Sequence, residues 1–254
     1  MESFASYLHR FSVRPGKVGV FWLGQAGFAI KSENGTLIAV DPYFSDCCNR
    51  YFGFRRLIPY ILTPYDVEFD AIVCSHAHYD HFDVDGIPQA LAGGKTRLIG
   101  AEDCRAECER LHIQDNVTFL TVGDRTEIDD ITVTALPCDH GELAPDALGL
   151  LFEVSGKKIY MMGDTSYRPD YLTNECLRDL DLLILPINGA FGNLNEREGA
   201  QVCATLKPKL AIPCHFGNFA EHGGNPGAFA DIMQNEVPDV AYRLMRVGEG
   251  ILLD

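Results

Sequence analysis

Long apolar runs are missing from this 254-residue sequence, and none approaches the roughly 20 residues that cross a bilayer, so a membrane-spanning helix is excluded. The opening MESFASYLHRF has an early acidic residue and no apolar h-region, which argues against a secretory leader and for a cytoplasmic protein. Basic residues are scarce. Lys and Arg number 21 against 36 Asp and Glu, and the formal charge of −15 disfavours a long nucleic acid as partner. No C-x-x-C pair occurs, and nine cysteines without a leader fit reduced, mostly buried thiols better than a disulfide scaffold. A G-x-S-x-G elbow is also absent, and Cys214 beside His215 reads as packing, so no activated Ser or Cys nucleophile is expected. What survives is a protein acting on a small molecule, with no membrane and no long nucleic acid, and with a homo-oligomer left open.

The sequence does contain many short β-rich runs. VGVFWL (18–23), GFAIKS (27–32) and TLIAVDP (36–42), with the hairpin signal Asn34-Gly35, predict a meander. Further strands are expected at 70–75, 97–101, 117–121, 131–137, 148–155, 157–163, 181–186 and 210–214, then at 242–247 and 250–254, with a hairpin at Ser155-Gly156. Helices are expected over 84–91, 101–111, 168–180, 195–206 and 226–234, with Asn195 as an N-cap. Strands in this number, meander first and then mixed with helices, suit two packed sheets flanked by helices in one domain spanning 1–254. One irregular stretch, 44–64, is aromatic and basic in an otherwise acidic chain, and it is the candidate for a lid.

The chemistry concentrates in SHAHYDHFD (75–83), just beyond the buried-strand run DAIVCS. His76 and His78 are two apart, so in extended chain both imidazoles can turn to one metal ion. Asp80 and His81 are adjacent and converge only if the chain turns there, which suggests a second ion beside the first. More donors are needed, and three isolated residues qualify: His140 in LPCDHGE, Asp164 in MMGDTS and His215 in IPCHFG, each just after a strand. Alone, any of these would be an ordinary loop or capping residue. Five of the chain's eight histidines and two aspartates, all at strand ends, are a metal-binding set.

HAHYDH followed by His140, Asp164 and His215 resembles the metallo-β-lactamase superfamily, whose signature is H-x-H-x-D-H and then His, Asp and His in that order. The resemblance covers nearly the whole chain, from VFWLGQAGFAI to PCHFG. It implies an α+β fold, the four-layer αββα sandwich. His76, His78 and His140 would hold one metal, Asp80, His81 and His215 the other, and Asp164 would bridge them. Asp41 in AVDPY corresponds to the family's acidic position behind the metal histidines, where a carboxylate would accept an imidazole N–H and fix its tautomer. WLGQAGFAIKSENGTLIAVDPYFSD, LPINGAFGNLNEREGAQ and KPKLAIPCHFG look most like the L-ascorbate-6-phosphate lactonase branch.

The resulting expectation is a metal-dependent, lactonase-like hydrolase that opens a small anionic, sugar-phosphate-like lactone or ester. One or two divalent ions are implied, manganese or zinc, with iron also admitted by an all-nitrogen-and-oxygen donor set. Asp164 and Asp80 are the expected catalytic groups, Asp164 beneath the attacking water and Asp80, or else a metal-bound water, supplying a proton to the leaving alkoxide. Arg55 and Arg56, and Asn188 in a Gly-rich loop, are the candidates to contact substrate. Competing readings are a phosphodiesterase of the same fold acting on nucleotides or RNA, and a di-iron redox protein. His9, His112 and His222 are read as ordinary residues.

Overall fold

Gly24 to Gly27 and the turn at Asn34-Gly35 break the apolar N-terminal stretch into three short strands, and these pair antiparallel as a meander. The computed structural model describes residues 3–254. Its strands are β1 Val18–Gly24, β2 Gly27–Lys31, β3 Leu37–Val40, β4 Ala71–Cys74, β5 Arg97–Ala101, β6 Val117–Leu120, β7 Arg125–Ile128, β8 Ile131–Pro137, β9 Leu148–Val154, β10 Lys157–Met161, β11 Leu182–Pro186, β12 Leu210–Cys214 and β13 Gly250–Leu253. Its α-helices are α1 Phe4–Arg10, α2 Cys47–Phe52, α3 Ile87–Ala90, α4 Cys104–Arg110, α5 Glu196–Leu206 and α6 Pro226–Glu236. None is long and apolar enough to cross a membrane.

Two mixed sheets result. The first runs β13-β1-β2-β3-β4-β5-β6 and the second β12-β11-β10-β9-β8-β7. Strands β3 to β6 are parallel, as are β10 to β12, so several strands of each sheet point their carboxyl ends the same way.

Alternation along the second sheet shows how the layers stack. Leu150, Phe152, Val154, Ile159, Met161, Leu182 and Ile184 belong to the core shared with the first sheet. Their neighbours Leu151, Tyr160, Leu183 and Leu185 face the other way and pack with Val202, Cys203, Phe229 and Met233 of α5 and α6. On the first sheet, α4 lies so close to β5 that a Cβ on Gly100 would stand 2.9 Å from the Cβ of Cys104. Helix layers outside two facing sheets are the αββα arrangement.

Several expectations about the elements need correction. The helix over 168–180 is replaced by two single 3₁₀ turns, Tyr171–Thr173 and Glu175–Leu177. Asn174 interrupts it: its backbone is extended and its side chain accepts from the Cys176 amide at 3.0 Å, the local competition that makes Asn a poor interior residue. Residues 242–247 form no strand; Tyr242 makes one isolated bridge to Ala211. The chain then turns through Gly248 at φ +81°, with Glu249 accepting from the Arg246 amide. Helix 84–91 shortens to the single turn α3, and the Asp83 carboxylate caps the turn that leads into it by accepting from the Asp85 and Gly86 amides. Elements α1, α2 and β7 have no counterpart among the sequence expectations. Asn195 does cap α5, through a capping box with Glu198.

Phe152 is fully buried between the sheets. Phe152→Ala should cost about 3–5 kcal/mol, read as a lower urea midpoint with unchanged slope.

Candidate metal centre

Each donor sits where a strand ends. His76 follows β4, His140 follows β8, Asp164 follows β10 and His215 follows β12, with Asp41 after β3 and Gln25 in the turn between β1 and β2. The strand hydrogen bonds fix where the backbone stops, and the side chains beyond it converge on one edge of the sandwich.

Within the HAHYDH loop the chain turns back on itself. The His81 and Phe82 amides both donate to the His78 carbonyl, at 2.8 and 2.7 Å, and this turn brings Asp80 and His81 round towards the remaining donors. Gly163, just before Asp164, has φ +68°, and a Cβ there would lie 2.7 Å from the Leu148 carbonyl oxygen, so only glycine lets the chain pass. Asp41 and His215 also hold left-handed backbone, at φ 46° and 62°, strain of the kind that concentrates at functional sites.

His76 Nε2 lies 3.0 Å from His78 Nδ1, which is 3.3 Å from His140 Nε2. His81 Nε2 lies 3.2 Å from His215 Nε2 and 3.3 Å from Asp164 Oδ1. Asp164 Oδ2 is 3.2 Å from His215 Nε2 and 3.8 Å from His140 Nε2, so this carboxylate stands between the two halves of the set. Asp80 Oδ2 is 3.3 Å from His215 Nε2.

These separations suit a metal. Nitrogens at about 2.0–2.1 Å from a tetrahedral ion lie roughly 3.3 Å apart, the spacing that His78 and His140 already have. Buried Asp164 Oδ1 makes no well-formed hydrogen bond, only the 3.3 Å approach of His81 Nε2, an opening that suits a bound ligand. His76, His78 and His140 form one group able to hold an ion, and His76, His81 and Asp164 another, each with its ligand atoms within 4.8 Å of one another.

Asp41 stands behind the donors. Its carboxylate accepts from the Ser75 amide and hydroxyl, at 2.7 and 2.6 Å, and lies 2.8 Å from His81 Nδ1, which leaves His81 Nε2 facing the centre.

Electrostatics divide the histidines. Burial pushes the His76 pKa well below its ordinary value and that of His140 down to about 4, so both are neutral near pH 7. Burial would lower His81 and His215 too, but Asp164 and Asp80 outweigh it. They hold His81 well above the ordinary range and His215 at about 9. Burial would likewise raise Asp80 and Asp164, yet the imidazoliums of His81 and His215 keep both well below the usual carboxylate range. Without metal, protons on His81 and His215 supply the positive charge that the carboxylates require.

The candidate substrate residues lie elsewhere. Arg56 donates to the Tyr43 and Ser45 carbonyls at 2.7 and 3.0 Å and stacks on the Tyr43 and Tyr60 rings, pointing into the protein. Arg55 is exposed and Asn188 is buried, with its amide donating to the Ala190 carbonyl, and neither lines the cavity beside the donors. That cavity, about 660 Å³, is walled partly by Cys48, Phe52 and Phe54 of the segment expected as a lid.

Two residues at the centre escaped the sequence reading. His222 stacks on His215 with ring centroids 4.8 Å apart and planes 11° apart, and with Asp80 and His215 it forms a third group able to hold an ion. Its nearness to His215 in sequence was the only signal. Gln25 Nε2 donates to Asp80 Oδ2 at 2.9 Å and lies 3.0 Å from His222 Nδ1, while the Gln25 carbonyl accepts from the His215 amide. Nothing in the local pattern of WLGQAGF marks it.

Two facing mixed sheets with a histidine and aspartate cluster at their common edge define the metallo-β-lactamase fold. A family model described as the beta-lactamase superfamily domain matches residues 19–215, and the chain belongs to that family. A UPF0173 metal-dependent hydrolase of Methanopyrus kandleri is 25% identical over 239 residues, covering 91% of this chain and 97% of that protein. Another UPF0173 metal-dependent hydrolase, of Carboxydothermus hydrogenoformans, is 28% identical over 243 residues, covering 92% and 99%. Among solved structures, the metallo hydrolase Igni18 of Ignicoccus hospitalis superposes with a TM-score of 0.73 at 18% identity, covering 94% of this chain and 99% of that one.

Two outcomes are expected. Asp41→Asn should weaken metal affinity by roughly 10- to 100-fold, read by competition with a chromophoric chelator. Metal uptake near pH 7 should release protons from His81 and His215, since ligands bind deprotonated, whereas neutral His76 and His140 contribute none. Apparent affinity should therefore climb with pH through about 9, where His215 loses its proton unaided, and further as His81 loses its own. Calorimetry in buffers of different ionisation enthalpy reads this directly, and heats independent of buffer would contradict it.

Proposed function

We propose that this chain is a metal-dependent hydrolase that opens a lactone or carboxylic ester, with His76, His78 and His140 holding one ion, Asp80, His81 and His215 a second, and Asp164 between them. The observation that carries the reading is the convergence of these seven side chains, from both sheets, beside one cavity lined by His78, Asp80, His140, Asp164 and His215. Membership of the beta-lactamase superfamily and the likeness to metal-dependent hydrolases support it. The lactone half rests on the resemblance of the segments around Gln25 and Asn188 to the ascorbate-phosphate lactonase branch.

When bound, a divalent ion at such a site lowers the pKa of water to about 7 and polarises a carbonyl oxygen. The chain's own groups do the rest. Asp164 is 7% exposed and flanked by His81, His140 and His215, so it is ionised and fixed, and it orients a water between the two halves of the set. Asp80 is 14% exposed and faces the cavity, placed to carry a proton to a leaving alkoxide, and Gln25 holds its Oδ2. His78 stands at the rim, with Nε2 3.1 Å from the Leu143 carbonyl, which fixes its tautomer and leaves Nδ1 facing His76 and His140. Gln25 and Asp41 are positioning residues.

The test assays protein of known metal content on aryl esters, lactones and bis-p-nitrophenyl phosphate, with His78→Ala alongside. Ester or lactone turnover should dominate, and His78→Ala should lower kcat/KM by roughly 100-fold or more while the circular dichroism spectrum stays unchanged. Undiminished turnover in the variant, or a preference for the phosphodiester, would refute the assignment.

A further inference from the structure

The cavity beside the metal centre has an unusual charge balance. Its lining includes three carboxylates, Asp80, Asp164 and Glu107, and no lysine or arginine. Nearby guanidiniums are engaged: Arg56 by backbone carbonyls and tyrosine rings, Arg50 by Asp85, Arg110 by Glu107, and Arg168 by Asp139 and Asp170. With a formal charge of −15 besides, the protein offers an incoming anion no lysine or arginine at the cavity, and the His215 imidazolium there is already answered by Asp80 and Asp164.

The wall away from the donors is aromatic. Phe52, Phe54 and Phe191 line it, and the rings touch in sequence, Phe52 to Phe54 at 6.3 Å, Phe54 to Phe191 at 6.0 Å and Phe191 to His222 at 5.4 Å, while Leu143 adds apolar lining beside His78. Phe52 is 58% exposed, Phe191 48% and Leu143 56%. Single exposed apolar residues are ordinary, but several around one cavity form a surface that gains by being covered. His222 ends this wall and stacks on His215, so the apolar surface runs up to the reacting centre.

We infer that the site takes neutral substrates, carboxylic esters or lactones bearing an apolar acyl or aryl group that lies on the Phe52, Phe54 and Phe191 wall. The assignment rests on the hydrolase reading for the reaction and on the cavity alone for the ligand. It replaces the sugar-phosphate substrate expected from the sequence, because the arginines counted on to hold a phosphate do not reach the cavity. The carbonyl end meets the donor set, and the hydrocarbon end displaces water from the rings.

The metal-loaded protein is tested on 4-nitrophenyl acetate against 4-nitrophenyl hexanoate, on γ-butyrolactone against γ-nonalactone, and on 6-phosphogluconolactone. From the shorter to the longer of each pair kcat/KM should rise on the order of 10- to 100-fold, and the phosphorylated lactone should be the poorest substrate. Phe52→Ala and Phe191→Ala should shrink the long-to-short ratio severalfold, mainly through KM, with metal bound per chain unchanged. Binding of 4-phenyl-2-butanone, a neutral ketone that cannot be hydrolysed, is followed separately by ligand-observed NMR and should weaken in both variants. A flat chain-length series, a preference for 6-phosphogluconolactone, or no ketone binding would overturn the inference even if esters are hydrolysed. Ketone binding that both variants weaken, with no ester or lactone turned over, would uphold the ligand class and sink the hydrolase.

Discussion

Burying carboxylates is the constraint on which this end of the molecule depends. Asp41 and Asp164 are almost wholly enclosed and Asp80 nearly so, and an ionised carboxylate out of water is costly unless opposite charge or several hydrogen bonds compensate it. Ser75 and His81 answer Asp41, while His81 and His215 answer Asp80 and Asp164. Protons and divalent cations compete for the same requirement, so proton binding and metal binding cannot be separated here. Backbone details follow from it. The left-handed turns at Asp41 and His215 and the glycine before Asp164 make sense as the cost of aiming these groups at one another.

Much of this could be read in the sequence because the donors follow strands, and strands announce themselves locally. DAIVCS, KKIYMMG and LAIPC are apolar runs with a donor at or just past each end, so His76, Asp164 and His215 could be placed before their neighbours were known. The turn that brings Asp80 and His81 round is also local, three and four residues of hydrogen bonding back to His78. Gln25 and His222 were harder. Their contacts span 55 residues for Gln25 to Asp80 and 197 for Gln25 to His222, and neither residue type in its own setting implies such a partner. The failed helix at 168–180 has a smaller cause: one asparagine took the amide two residues on.

The basic, aromatic segment over 44–64 shows where composition misleads. Its arginines suggested anion binding, yet the packing turns Arg56 to the backbone and the aromatics to the cavity. Buried Asp83 anchors the segment's start by accepting from the Phe44 and Ser45 amides at 2.8 and 2.6 Å, and Arg56 fastens it further along by donating to the Tyr43 and Ser45 carbonyls. Held at these points, the segment presents Phe52 and Phe54 to the cavity. A guanidinium needs acceptors as much as an anion needs donors, and the Tyr43 and Ser45 carbonyls engage Arg56 through one of its nitrogens.

The donor set draws on both sheets. His76, His78, Asp80 and His81 belong to the loop after β4 in the first sheet, whereas His140, Asp164 and His215 follow strands of the second. An ion shared among them is a cross-link between the two halves of the sandwich. His78 to His140 closes a loop of 62 residues and His81 to His215 one of 134, lengths over which joining an unfolded chain's ends is entropically expensive. Occupancy of the centre would then govern how firmly the two sheets stay clasped at this edge, and loss of metal would loosen the sandwich there first.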